Sequence, residues 1–343
     1  MRDSLRQLTL TRFREFVREP EALFWSLAFP IVLSVGLGIA FRNRPPDVVH
    51  VAVAADSRDA SGVLAALRSS KALAPESLSA DAARTALRTG RIALVVHQTD
   101  SVTYEFDDTR PDSRNARLLV DDAIQRGAGR VDRVAVNERY IRERGSRYID
   151  FVVPGLLGMG LMGNGIWGIG FPVVDARRRK LLKRFMATPM SRVEYLASFV
   201  ISRFVLLVLE VVLLLGFSAI AFGVPLRGSI LQLVLICVLG AIAFGSLGLL
   251  IAARPRTIEG ASGLMNLAMM PMWVLSGVFF SSENFPKVLQ PFIQALPLTA
   301  VNDALRANML RGAGMDVVGN ELAILAAWAV VAFFLALRLF RWR

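Results

Sequence analysis

Residues 276–306 read SGVFFSSENFPKVLQPFIQALPLTAVNDALR. Phe285, Val288, Leu289, Phe292, Ile293, Leu296 and Leu298 make this stretch too apolar for a loop bathed in water. Yet Pro286, Pro291 and Pro297 cut it into pieces of about one or two helical turns. A bilayer core about 30 Å thick asks for about 20 apolar residues per helix, which no piece supplies. The physical solution is a pair of short helices that dip into the outer leaflet and pack against protein.

Outward from this segment, six apolar stretches are long enough to cross a bilayer: Ala22 to Phe41, Phe151 to Val174, Leu196 to Phe222, Ile230 to Ala253, Ala261 to Phe280, and Leu322 to Leu339. The chain is 54% hydrophobic with a mean hydropathy of +0.48, values of a multi-pass membrane protein. Between the first and second stretches lies a polar segment of roughly a hundred residues, enough for a small folded domain. The net charge of +12 does not point to nucleic acid, because its distribution follows the membrane. With the N-terminus inside, the short inner pieces carry seventeen Lys and Arg, and the short outer loops only Arg227, Lys287, Arg306 and Arg311. That asymmetry sets both termini on the cytoplasmic side. Cys237 lies alone in an apolar stretch, so no intrachain disulfide forms. Gly38-Ile39-Ala40 has the small-residue look of a signal cleavage site, but the charged lead-in and the long apolar run favour a retained anchor.

Ser4 to Glu19 reads as an amphipathic helix in the inner interface, with Leu10, Phe13, Phe16 and Val17 on one side, and Pro20 ends it. The polar domain reads as mixed α/β. Val48 to Ala54 is a strand, Ala60 to Ser69 a helix, and Ala80 to Thr89 a helix closed by Gly90. Ile92 to Val96 is a buried strand, Val102, Tyr104 and Phe106 alternate on the next, and a helix follows from Ser113 to Gln125. A further polar helix is expected over Val131 to Arg144. His50 and His97 have no ligand-spaced partners, so no metal site is expected.

The second apolar stretch holds Gly155, Gly158, Gly160, Gly163, Gly165, Gly168 and Gly170, and the spacing of Gly155, Met159 and Gly163 predicts a small-residue contact seam. Asn164 is its one strongly polar side chain. In the third stretch Arg203 and Glu210 share a face. Each is costly in hydrocarbon and must meet protein, water or a partner, as a structural brace, a substrate contact or a proton relay.

After the second stretch come the cations Arg177, Arg178, Arg179, Lys180, Lys183 and Arg184, with Leu181, Leu182, Phe185 and Met186 on the opposite face of a short helix that Pro189 ends. Ser191 and Glu194 then form a capping box for the third span. By composition alone such a helix suits anionic lipid headgroups, at about 1 kcal/mol per basic residue.

The terminal proline-cut loop, the inner amphipathic helix and the Leu-x-x-Phe-x-x-Thr-Pro-Met-Ser-Arg spacing together resemble the type-2 (ABC-2) exporter family of ABC-transporter permeases, in its long form with a large extracytoplasmic domain. The resemblance covers the whole chain. It implies a mainly α membrane protein of six transmembrane helices, with an α/β extracytoplasmic domain between the first two and a re-entrant helical loop before the sixth. The divisions expected are an elbow helix over 1–21, a first span over 22–41, the outside domain over 42–149 and a five-span region over 150–343, with a coupling loop at 175–195 and the re-entrant loop at 282–306. Arg184, Phe185, Thr188, Pro189 and Arg192 carry the match to the family's coupling helix, which docks on an ATPase. The acidic residue and Gly-Thr usual before that helix are replaced by Asp175 and an Arg-Arg-Arg-Lys run.

The resemblance further implies a permease of an ATP-driven exporter in a bacterial plasma (inner) membrane. Two copies of a separate ABC ATPase subunit, and a second permease copy or a paralogue, would complete it. Asn164, Met265, Asn266 and Met269 then fall on the substrate path, and flexible methionines suit a lipid-like, amphipathic or drug-like substrate. No Gly-x-x-x-x-Gly-Lys-Ser/Thr loop is present, so ATP and Mg belong to the partner and this chain is expected to carry no cofactor. No catalytic set of Ser, His, Asp or Cys is available, so it is not expected to be an enzyme. The rivals are a non-transporting scaffold for envelope assembly or stress signalling, and an ion-driven transporter. The second would need repeats and paired mid-membrane charges.

Overall fold

The computed structural model describes residues 2–41, 48–131, 134, 137, 145–179, 192–255 and 257–339. The chain divides into two units, Met1–Arg42 with Ile141–Arg343, and Asn43–Tyr140.

The larger unit is helical. It begins with α1 (Arg2–Arg18), which Glu19 and Pro20 end. A lead-in helix follows in three joined pieces: α2 (Pro20–Leu23), a π-helical turn (Phe24–Ala28) and α3 (Phe29–Ala40). Then come α7 (Tyr148–Arg178), α8 (Arg192–Phe222), α9 (Ile230–Ala252) and α10 (Ile258–Leu275). A 3-10 turn (Ser282–Asn284) leads to α11 (Gln290–Ala295), α12 (Pro297–Arg311) and α13 (Met315–Leu339). Among the described residues, α7, Ile201–Phe222 of α8, α9 and α13 are long and apolar enough to cross a membrane, and Phe24–Ala40 is a shorter apolar helix. The prolines act where the sequence put them. Pro291 and Pro297 each open a helix at its first turn, where the missing N–H is not needed.

α7 lies at the centre, packed against α3, α8, α9, α10 and α12. Its glycines make most of these approaches possible. A Cβ on Gly165 would lie 2.5 Å from Phe244 Cβ of α9, and one on Gly155 would lie 2.6 Å from the Val278 carbonyl. The seam expected along Gly155, Met159 and Gly163 is not continuous, because Gly163 has no atom within 4 Å of its Cβ position. The chain instead spreads α7's small residues around the helix: Gly160 and Gly168 meet α8, Gly165 meets α9, and Gly170 meets both α9 and α10.

The smaller unit is a four-stranded sheet in the order β2-β1-β3-β4, with β1 (Val49–Ala54), β2 (Leu73–Leu78), β3 (Leu94–Gln98) and β4 (Val102–Glu105). β1 runs parallel to β2 and β3, and β4 is antiparallel to β3. α4 (Ala60–Arg68) and α6 (Pro111–Gly127) cover one face with Val51, Val53, Leu94 and Val96. α5 (Ala80–Arg88) covers the other with Ala52, Ala54 and Val95. β2 was absent from the sequence reading because Pro75 interrupts it. The structure places that proline in an edge strand opposite Val51, where a missing N–H leaves the outer edge open. Gly90 ends the turn after α5 at φ 75°, a conformation that favours glycine. The helix expected over Val131 to Arg144 lies outside the described residues.

Candidate functional site

The antiparallel pair α7 and α8 builds a buried polar line. Arg203 and Glu210 both turn toward α7, each into space that a glycine leaves. A Cβ on Gly168 would collide with the Arg203 guanidinium, and one on Gly160 with Glu210 Oε1. Glu210 is only 3% exposed. Asn164 Nδ2 donates to Glu210 Oε2 at 2.7 Å, and the Ser26 hydroxyl donates to Asn164 Oδ1 at 3.0 Å. The π-helical turn at Phe24–Ala28 carries Ser26, so the lead-in helix, α7 and α8 share one hydrogen-bonded chain. Glu210 Oε1 has no hydrogen-bond partner among the described residues. It borders a cavity of about 60 Å³ lined also by Phe16, Leu27, Arg203, Leu206 and Leu207.

A second set of polar contacts stitches the proline-cut segment to α7. Asn302 Nδ2 donates to the Ser276 carbonyl at 2.8 Å. Arg306 lies 3.7 Å over the Phe151 ring and donates to the Phe151 and Gly277 carbonyls. Gly277, at φ 72°, turns its carbonyl back to meet that cation. Tyr148 Oη donates to the Phe279 carbonyl at 2.9 Å, and Trp328 Nε1 of α13 to the Ala295 carbonyl at 2.8 Å. At the head of α7, the buried Asp150 accepts from the N–H groups of Gly145 and Arg147 and from the Arg147 guanidinium. Those bonds hold Arg147 above its ordinary pKa.

At the other end of α7, Arg177 Nη1 donates to the carbonyls of Ala252, Ala253 and Pro255, at 3.1, 3.3 and 3.4 Å. A cation thus caps the carbonyl end of α9. Arg177 and Arg178 therefore belong to the last turn of α7, where the sequence placed the start of a separate coupling helix. Arg184, Phe185, Thr188 and Pro189, with Ser191 of the expected capping box, lie outside the described residues. Arg192 is the first residue of α8, and the side chains of Arg192 and Glu194 are likewise outside what is described.

Within the chain the four expected path residues do not share a face. Met265 and Met269 are buried, Met265 against the room left by Gly170. Asn266 is exposed, on the outer face of α10 with Leu267, Met270 and Trp273. Asn164 turns instead to Glu210. Ser26 and Asp150 were missed by the sequence reading. Their signal was present: a lone serine inside an apolar run, and an Arg147–Asp150 pair three residues apart where a span begins. In the smaller unit His97 pairs with Glu105 at 3.1 Å. Among the described residues no group of three or more His, Cys, Asp or Glu is placed to hold a metal.

Residues 120–310, more than half of the chain, match the model of the ABC-2 type transporter family. The chain is similar to the inner membrane transport permease YhhJ of Escherichia coli (strain K12), 30% identical over 35% of this chain and 32% of that protein. It is 26% identical to the linearmycin resistance permease protein LnrN of Bacillus subtilis (strain 168), over 51% of this chain and 45% of that one. It is 27% identical to the probable multidrug ABC transporter permease YbhS of Escherichia coli (strain K12), over 53% of this chain and 48% of that protein. The chain thus spans between about a third and a half of the length of these relatives.

Proposed function

The chain belongs to the ABC-2 type transporter family, and from that premise we propose that it is the membrane-spanning permease of an ATP-driven exporter. It moves a lipid-like, amphipathic or drug-like substrate outward, as the names of the resistance and multidrug relatives suggest for those proteins. Six helices cross the bacterial plasma membrane with both termini cytoplasmic: the lead-in helix, α7, α8, α9, α10 and α13. Residues 42–149 lie outside, and α11 and α12 re-enter from the outer side. ATP and Mg are bound by two copies of a separate ABC ATPase, which docks at Arg184, Phe185, Thr188, Pro189 and Arg192. A second permease copy, or a paralogue, completes the path along the exposed face of α10 that carries Asn266, with Met265, Met269 and Asn164 supporting its wall.

The observation that carries this reading is the family match over 120–310, which includes every helix from α7 to α12. The arrangement of α7 supports it. A helix that touches five neighbours through small side chains can pass a push from the inner loop to all of them at once.

The test is reconstitution with the ATPase in proteoliposomes and measurement of ATP-dependent transfer of a labelled amphiphile. Phe185→Ala should leave the permease folded and lower ATPase co-purification at least tenfold, since a buried aromatic anchor commonly contributes about 2 kcal/mol or more. Asn266→Trp should slow transfer while ATPase association persists. Transfer that proceeds at the same rate without ATP would overturn the assignment.

A further inference from the structure

Glu210 is a carboxyl group buried in an apolar helix. Arg203 shares its helix face, but its guanidinium rests at the level of Gly168 whereas the carboxyl group rests at Gly160. Eight residues of α7 separate those levels by about 12 Å, too far for an ion pair. Asn164 gives Oε2 one neutral hydrogen bond, and Oε1 has no hydrogen-bond partner among the described residues. The lead-in helix presents Ser26 to this cavity and α1 presents Phe16. Among the described residues Cys237 on α9 is also near enough to interact with the carboxyl group electrostatically. A carboxylate so placed is not stable alone in hydrocarbon. It holds a proton, or it faces a cation.

The cavity says which cation. Its free volume of about 60 Å³ has room for a primary ammonium group with a water or two. Its wall offers three oxygens, on Glu210, Asn164 and Ser26, to the three donors of such a group. Phe16, Leu27, Leu206 and Leu207 form its apolar wall, and the Arg203 side chain borders it at the level of Gly168, away from the carboxyl group.

We propose that this cavity binds the ammonium head of a cationic amphiphile that arrives from the bilayer between the lead-in helix and α8, its alkyl tail against the four apolar wall residues. With the site empty, Glu210 carries a proton. On binding, the carboxyl O–H bond breaks, the proton leaves to water, and the carboxylate pairs with the ammonium group. The net charge of the site is therefore the same before and after. The site lies within one chain, apart from the exposed face of α10.

The proposal rests on reading the chain as a permease for amphipathic substrates, and its test needs no ATPase. The purified full chain is placed in phosphatidylcholine nanodiscs, and binding of dodecylammonium, dodecanol and dodecyl sulfate is measured by equilibrium dialysis. Proton release is followed with an indicator dye in weak buffer. Dodecylammonium should bind best, more tightly as pH rises, with about one proton released per molecule bound. Glu210→Gln should lower that affinity at least tenfold and abolish the release, with dodecanol binding unchanged. Leu207→Trp narrows the cavity without touching the carboxyl group and should lower the affinity as well, which keeps the test open if Glu210→Gln fails to assemble. Equal binding of the three probes, tighter binding of dodecyl sulfate at Arg203, or dodecylammonium binding undiminished in Glu210→Gln would each overturn the site. Such a failure leaves the permease reading standing. Intact binding with no ATP-driven transfer would fault that reading and leave the site.

Discussion

α7 and α8 are each 31 residues long, and they are buried in opposite proportion to their hydrophobicity. Within the chain, 72% of the most apolar window of α7 is buried against 17% for α8, although α8 is much the more apolar helix. In water the order would be reversed, because the greasier helix would be driven inside. Lipid tails solvate leucine and valine as well as protein does, so hydrophobicity does not choose which helix goes to the centre of a membrane protein. Close approach chooses it. α7 offers a glycine wherever a neighbour must come near, and α8 offers the long side chains that lipid accepts, apart from the two that reach back into α7's gaps.

The sharpest way to break this comparison is to add bulk to α7 at a contact. Gly165→Leu would set new atoms against Phe244 Cβ and the backbone of Gly245, 3.1 Å from the added Cβ, and backbone cannot yield as a flexible side chain can. A loss of about 3 kcal/mol or more is expected, read as a lower unfolding temperature in detergent and a smaller monodisperse fraction. Gly163→Leu, only two residues away in sequence, meets open space and should change little. Equal damage from both would mean that helix propensity, and not approach, explains the glycines.

The next effect falls at the head of α7. Asp150→Ala removes the acceptor of four hydrogen bonds and leaves the Gly145 and Arg147 N–H groups and the partly exposed Arg147 guanidinium without it, at an expected cost of about 2–3 kcal/mol. Asp150→Asn should recover part of it, as thermal unfolding of the two variants would show. Smaller again is Arg177→Met, which keeps the apolar stem but leaves the last carbonyls of α9 without their cation. About 1–2 kcal/mol is expected, with faster hydrogen exchange confined to the end of α9. Smallest is Ile220→Ala on α8, at a residue 89% exposed, which should stay within about 0.5 kcal/mol. A large loss there would show that the outer face of α8 is covered by protein.

The helices and the proline-cut segment were legible because their signals are local. Pro291 and Pro297 open the helices they were expected to punctuate, and Gly90 ends the helix it follows. Partners were less legible, since periodicity names a face and not what it meets. The seven-residue spacing of Arg203 and Glu210 showed one shared face. That Gly168 and Gly160 lie opposite depends on the antiparallel register of two helices, which no single segment encodes. Met265 and Met269 read as path residues for their flexibility, and the gap at Gly170 draws the first of them into the core. β2 escaped because a proline in an edge strand looks like a turn until its neighbour is known.

The π-helical turn at Phe24–Ala28 also bears on how this chain tolerates change in its length. A π turn amounts to an α-helix with one residue too many, looped out so that the flanks keep their phase. Elsewhere in these helices, deleting a single codon would rotate everything beyond it by about 100° and misplace every contact. Within residues 24–28 the same deletion would return the segment to regular helix and leave both flanks facing as they do now. The lead-in helix is thus the one described helix with a spare residue, and losing it would forfeit the inward pose of Ser26 while sparing the fold.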